Sequence, residues 1–163
     1  MAGSPALVAA AVPRTWQSLA LRPLEKAGEV RALFDYAALP WPSTANPLVA
    51  WGALAPTEKL VGAVVAETLG RAALLHGPVV VVERDALELA GHLIGAVIDH
   101  LTALRAHTIF ARPQGLDRLW IRFGFIPVPE GTLPAELSSG PGDGLYAWRG
   151  GSAVWSLRDV GSP

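Results

Sequence analysis

The chain has 163 residues, a length that suits one domain with a sizeable core, and although 51% of it is hydrophobic, no apolar run reaches the roughly 18 to 20 residues that a membrane helix needs. A net charge of −1 offers no basic surplus for a nucleic-acid partner, and the absence of cysteine removes disulfides, thiolate chemistry and cysteine zinc sites. The four histidines, His76, His92, His100 and His107, show no tight ligand spacing, so no metal site is expected.

Residues 1–14 read as a flexible N-terminal arm. Pro5 and Pro13 break their short apolar run, and no Lys or Arg precedes it as in an export signal. A cytoplasmic protein is therefore expected, with a single domain over 15–163. "WQSLALRPL" (16 to 24) alternates apolar and polar side chains like a half-buried strand that Pro23 ends. "EKAGEVRALFDYAAL" (25 to 39) spaces Val30, Leu33, Phe34 and Ala37 as an amphipathic helix does. "LPWPSTANP" (39 to 47) holds three prolines and predicts irregular chain. "LVAWGAL" (48 to 54) and "LVGAVVAET" (60 to 68), with "APTEK" between them, predict a hairpin.

"AALLHGPVVVV" (72 to 82) predicts a strand with a bulge or kink at Gly77-Pro78, because proline cannot donate to a ladder. The clearest helix is "ELAGHLIGAVIDHLTALR" (88 to 105), where Gly91 and Gly95 share a face that lets a sheet come close. "HTIFARP" (107 to 113) predicts a strand, "GLDRLWIRF" (115 to 123) a short helix with Gly124 at its C-cap, and "FIPVPEG" (125 to 131) extended chain. "TLPAELSSGPGDG" (132 to 144) predicts a loop, "LYAWR" (145 to 149) a strand, and "AVWSLRD" a partner pairing back on it. Together these give a mixed α/β domain with one central, mostly antiparallel sheet flanked by helices.

This element order, with the segment "VVVERDALELAGHLIGAVIDHL…TIFARPQGLDRLWIRFGF", resembles the GNAT superfamily of acyl-CoA-dependent N-acyltransferases. Its members carry a strand, a turn patterned Val-x-Pro-x-x-(Arg/Gln)-Gly-x-Gly-x-(Gly/Ala), a long helix, and a short helix ending in a Tyr-x-x-x-Gly-Phe-like element. Here Val81 takes the valine position and Gly91 the last small one, and "GF" follows the short helix. The proline position holds Glu83, the Arg/Gln position Ala86, the inner glycine positions Leu87 and Leu89, and the tyrosine position Trp120, so the motif is degenerate.

The resemblance implies acetyl-CoA or another acyl-CoA as cofactor, its pantetheine arm received by the backbone of Val80, Val81 and Val82, and its pyrophosphate held by N–H groups at the helix start near Gly91. Backbone donors need no particular side chain. Leu87 and Leu89 nevertheless add bulk there, and Asp85 and Glu88 add two carboxylates that either repel the anion or serve as helix caps. Arg84, Arg112 and Arg118 are candidate phosphate contacts. The general base is sought on the central strands, at Glu67 or His76, an imidazole being suited by its ordinary pKa near 6.5. Trp120 has no titratable proton to give, which leaves Tyr146 as a candidate acid. Trp41 and Trp51 fall either in the acceptor pocket or in the core.

The function implied is N-acyl transfer to a small-molecule amine, with no nucleic-acid or membrane partner. The alternative is an inactive GNAT-like binding or assembly subunit that uses its surface for a homodimer or another protein.

Overall fold

The computed structural model describes residues 13–137 and 154–158. Its elements are β1 (Arg14–Trp16), β2 (Leu19–Leu24), a 3-10 turn (Ala27–Val30) leading into α1 (Arg31–Tyr36), β3 (Leu48–Leu54), β4 (Leu60–Leu69), β5 (Ala72–Val80) and α2 (Ala86–Ala103). β6 (Thr108–Ala111), α3 (Asp117–Arg122), β7 (Ile126–Val128), 3-10 turns at Glu130–Thr132 and Ala135–Leu137, and β8 (Val154–Arg158) follow. Eight strands form one sheet in the order β1-β2-β3-β4-β5-β6-β8-β7. Every pairing is antiparallel except that of β5 with β6. The expected fold class is the observed one.

Strand alternation splits the core between the two faces of the sheet. On one face Trp51, Ala53, Val64, Ala66 and Leu75 meet Leu89, Ala90, Leu93, Ile94, Val97 and Leu101 of α2, all buried and recurring at helical spacing. On the other, Ala50, Ala63 and Val65 meet Val30 and Phe34 at the start of α1. A third group, Leu74, Phe110, Val128 and Val154, lies beneath Leu133 and Leu137. Gly91 and Gly95 do not face the sheet. A Cβ on Gly91 would lie 3.4 Å from Leu119, and one on Gly95 3.6 Å from Phe123, so these glycines seat α3 and the residue after it.

Several elements differ from the expectation. The first strand is a hairpin, β1 and β2 joined at Gln17, whose φ of +55° turns the chain. Pro23 does not end β2; it pairs opposite Trp51, beyond the last β1 pairing at Arg14–Leu21, and among the described residues no strand needs an N–H from it on that edge. Arg14 already belongs to β1, and residues 1–12 of the expected arm lie outside the described residues. α1 is only six residues long because its first turn is 3-10. Val81 and Val82 lie beyond the end of β5, and α2 starts two residues early. Residues 145–149 lie outside the described residues. β8 pairs with β6 on one side and with β7 on the other.

Candidate functional site

β5 carries the bulge that Gly77-Pro78 predicted. Val65 pairs with His76 and Ala63 with Val79, so Gly77 and Pro78 stand opposite Val64 alone. Their peptide bond is cis, and Gly77 has a φ of +95°. This irregularity sits where β5 and β6 part. The parallel ladder covers only Ala72–Leu75 against Thr108–Ala111. Beyond Leu75, β5 runs on along β4 as far as Val80, and the N–H of Val81 bonds the Val61 carbonyl. After Ala111 the other strand turns away through Pro113, whose carbonyl accepts the indole N–H of Trp120 at 3.0 Å. Trp120 is fully buried against Phe125. The residue at the family's tyrosine position therefore braces the departing strand. The β6-side edge of His76–Val80 has no strand partner among the described residues.

Both candidate bases lie at this parting, on the α1 face of the sheet. The His76 Nε2 atom is 3.1 Å from Glu67 Oε1. Oε2 of Glu67 accepts the Thr44 hydroxyl at 2.9 Å and the Asn46 side-chain amide at 2.7 Å. The same amide reaches the Glu136 carbonyl at 2.9 Å. Glu67 has no exposed surface, whereas 16% of the His76 side chain is exposed. Burial alone raises a carboxyl pKa. Here the hydrogen bonds from His76, Asn46 and Thr44, with the charge of His76, outweigh it and hold Glu67 below its ordinary value. Glu67 is thus a buried, ionised acceptor, and His76 is the member of the pair that reaches the surface.

The polar loop was legible as irregular chain only; nothing in the order "STAN" announced that Thr44 and Asn46 would close over Glu67. The loop is stitched down further along, where both the N–H and the hydroxyl of Thr68 bond the Pro47 carbonyl.

At the turn before α2, Asp85 occupies the N-cap position in a left-handed conformation, φ +56°, but makes no side-chain cap bond. Its carboxylate takes the Gln17 amide at 3.2 Å instead, so the cap reading of Asp85 does not hold. With the left-handed residue at Asp85, Leu87 and Leu89 are ordinary helical residues. Leu89 is buried toward the sheet, and Leu87 is half exposed beside the turn. The first intrahelical bond runs from the Leu89 N–H to the Asp85 carbonyl, leaving the three preceding N–H groups at the helix start without intrahelical acceptors. Val80 ends β5 and Val82 packs against the core, while Val81, Glu83, Arg84 and Glu88 are exposed.

Arg112, one residue beyond β6, is held by both oxygens of Glu130, at 2.8 and 3.3 Å. Arg118 is exposed on α3. Tyr146 lies outside the described residues. Trp51 is core, its indole N–H on His100 Nδ1 at 3.0 Å, and burial lowers the His100 pKa so that the ring stays a neutral acceptor. Trp41 packs edge-on against Phe34. Neither tryptophan belongs to the Glu67–His76 cluster.

No protein-family model and no curated protein matches the sequence. Solved structures do. A GNAT-family acetyltransferase from Staphylococcus aureus superposes with a TM-score of 0.54 at 15% identity, covering 68% of this chain and 67% of that one. Mutant forms of the spermidine/spermine N-acetyltransferase of Vibrio cholerae give 0.57 at 14% identity over 86% and 95%. The ribosomal-protein-S18-alanine N-acetyltransferase of Escherichia coli gives 0.61 at 11% identity over 87% and 94%. At such identities the likeness is one of fold, and this chain has the fold those proteins share.

Proposed function

We propose that this chain, built on the GNAT fold, is an acyl-CoA-dependent N-acyltransferase that moves an acyl group, most simply acetyl, from its thioester to the amine of a small molecule. The observation that carries the reading is the parting of β5 from β6 after Leu75, with a Glu67–His76 pair beside it. The open edge of His76–Val80 offers backbone groups to a pantetheine arm, with Val80, Val81 and Val82 along its path. The unpaired N–H groups at the start of α2 offer an anion site for the pyrophosphate, one turn before Gly91.

Acyl transfer needs a neutral amine, a polarised carbonyl and a protonated leaving thiolate. His76 takes the ammonium proton, since it alone of the pair has exposed surface. Glu67 stabilises the imidazolium that results. With Trp120 committed to the Pro113 carbonyl, no acid stands at that position, and the thiolate, whose thiol has a pKa near 8.5, takes its proton from water.

The test is thiol release from acetyl-CoA across a panel of small amines. The reading expects amine-dependent release that falls by roughly 10²- to 10⁴-fold in His76→Ala, the range of a general base. No amine-dependent release from any member of the panel, or full activity in His76→Ala, contradicts it.

A further inference from the structure

We infer that Thr44 and Asn46 are positioning residues that fix His76 as its Nε2–H tautomer, leaving Nδ1 as the atom that takes a proton from the acceptor. The proton-taking role rests on the transferase reading; the tautomer assignment does not.

An ionised carboxylate has lone pairs and no proton to give, so whatever lies within hydrogen-bond distance of it must donate. Glu67 Oε1 stands 3.1 Å from His76 Nε2, so that nitrogen carries the hydrogen. A neutral imidazole has only one N–H, so Nδ1 holds the lone pair. What keeps Glu67 in the donor-free form is its other oxygen. Oε2 receives one hydrogen from Thr44 and one from Asn46, both from the 39–47 loop, and Asn46 uses its second amide hydrogen on the Glu136 carbonyl. The 39–47 loop thereby supplies both donors to one carboxylate oxygen, and the Ala135–Leu137 turn holds the Asn46 amide through the Glu136 carbonyl.

Were that oxygen left bare in a buried site, the carboxyl would favour its protonated form, and a protonated Glu67 would offer its O–H to Nε2. The tautomer would then reverse, moving the hydrogen to Nδ1 and removing the lone pair. The remaining charged groups near this end of the sheet do not replace Thr44 and Asn46. Arg112 is engaged by Glu130, and the exposed side chain of Glu136 is not the group that Asn46 binds. In the proposed step, an ammonium N–H bond breaks and a bond from that proton to Nδ1 forms. The products are a neutral amine and an imidazolium whose Nε2–H remains on Glu67.

The experiment is a ring-nitrogen NMR spectrum of the full chain, with its histidines labelled with ¹⁵N, at about pH 8. His76→Gln identifies the signals of residue 76. The inference expects one tautomer for His76, with Nε2 protonated and Nδ1 bare. Asn46→Ala, and Thr44→Val as an isosteric second variant less disturbing to the fold, each lower the ratio of that tautomer to the other about tenfold, the effect of losing one hydrogen bond to a charged group. Thr44→Ser restores the hydroxyl and the original spectrum, which a purely packing role for Thr44 would not require. A proton on Nδ1 in the unaltered chain, comparable amounts of both tautomers there, or unchanged spectra in both variants overturn the inference. The measurement uses no coenzyme A, so its failure is separate from a failure of acyl transfer.

Discussion

Glu67 links local chemistry to stability. It is fully buried and accepts three side-chain donors, so truncation strands all of them. Glu67→Ala is expected to lower unfolding free energy by about 1 to 3 kcal/mol, the cost of leaving buried polar groups unpaired. The pH dependence has a definite sign. Because Glu67 is held below its ordinary value, the folded protein binds its proton less readily than the unfolded chain. The resulting stabilisation is complete above the ordinary carboxyl range near 4.5, and it is lost as pH falls through the lower folded value. Chemical denaturation of the unaltered chain and of Glu67→Gln, followed from neutral pH down to about pH 3, is expected to show the steeper acid loss in the unaltered chain. Parallel curves would refute it. The sequence marked both Glu67 and His76, because each lies on a central strand, Glu67 near the end of one and His76 just before the Gly77-Pro78 break. It did not mark Thr44 or Asn46, since a hydroxyl and an amide in a proline-rich loop look the same whether they face solvent or a carboxylate that lies 23 and 21 residues further along the chain.

At the scale of elements, what sequence could show followed hydrophobic period. β3, β4 and α2 carry enough repeating positions to declare themselves, and the bulge in β5 was written in Gly77-Pro78. The β1–β2 hairpin was hidden because Gln17 turns the chain without glycine or asparagine. The face of Gly91 and Gly95 was misassigned because helix period alone does not say whether a small residue meets a sheet or another helix. Their true neighbours give a test of the α2–α3 contact. A methyl at Gly95 would meet Phe123 at 3.6 Å, an ordinary contact, so Gly95→Ala should stabilise the helix by about 0.5 to 1 kcal/mol, read as a rise of a few degrees in melting temperature. A fall would mean that α3 sits closer than described.

The turn before α2 gives a second test. Glu83 and Glu88 are exposed beside the expected pyrophosphate, where screened repulsion amounts to about 1 kcal/mol per charge at close range. Glu83→Gln with Glu88→Gln is therefore expected to tighten coenzyme A binding by between about twofold and tenfold. Asp85 is left in place because it holds Gln17. Weaker binding in that variant would place the phosphates elsewhere.

For the whole molecule, the fold class was legible because it rests on a succession of elements, and single motif residues can change without disturbing it. The eroded turn motif illustrates the difference. Leu87 and Leu89 replace glycines in the pattern, yet both adopt ordinary helical geometry because Asp85 takes the left-handed position, and Leu89 joins the core. The departures from the family's turn pattern and the parting of β5 from β6 after Leu75 therefore coexist in one chain. The central claim is that the parted edge of β5 admits the arm of a thioester cofactor. Calorimetric titration of the full chain with acetyl-CoA tests it most directly. The account predicts saturable binding with a micromolar Kd, accompanied by about 2.7 kcal/mol of added stability at ligand one hundred times that Kd. No heat and no stabilisation at millimolar acetyl-CoA would contradict it.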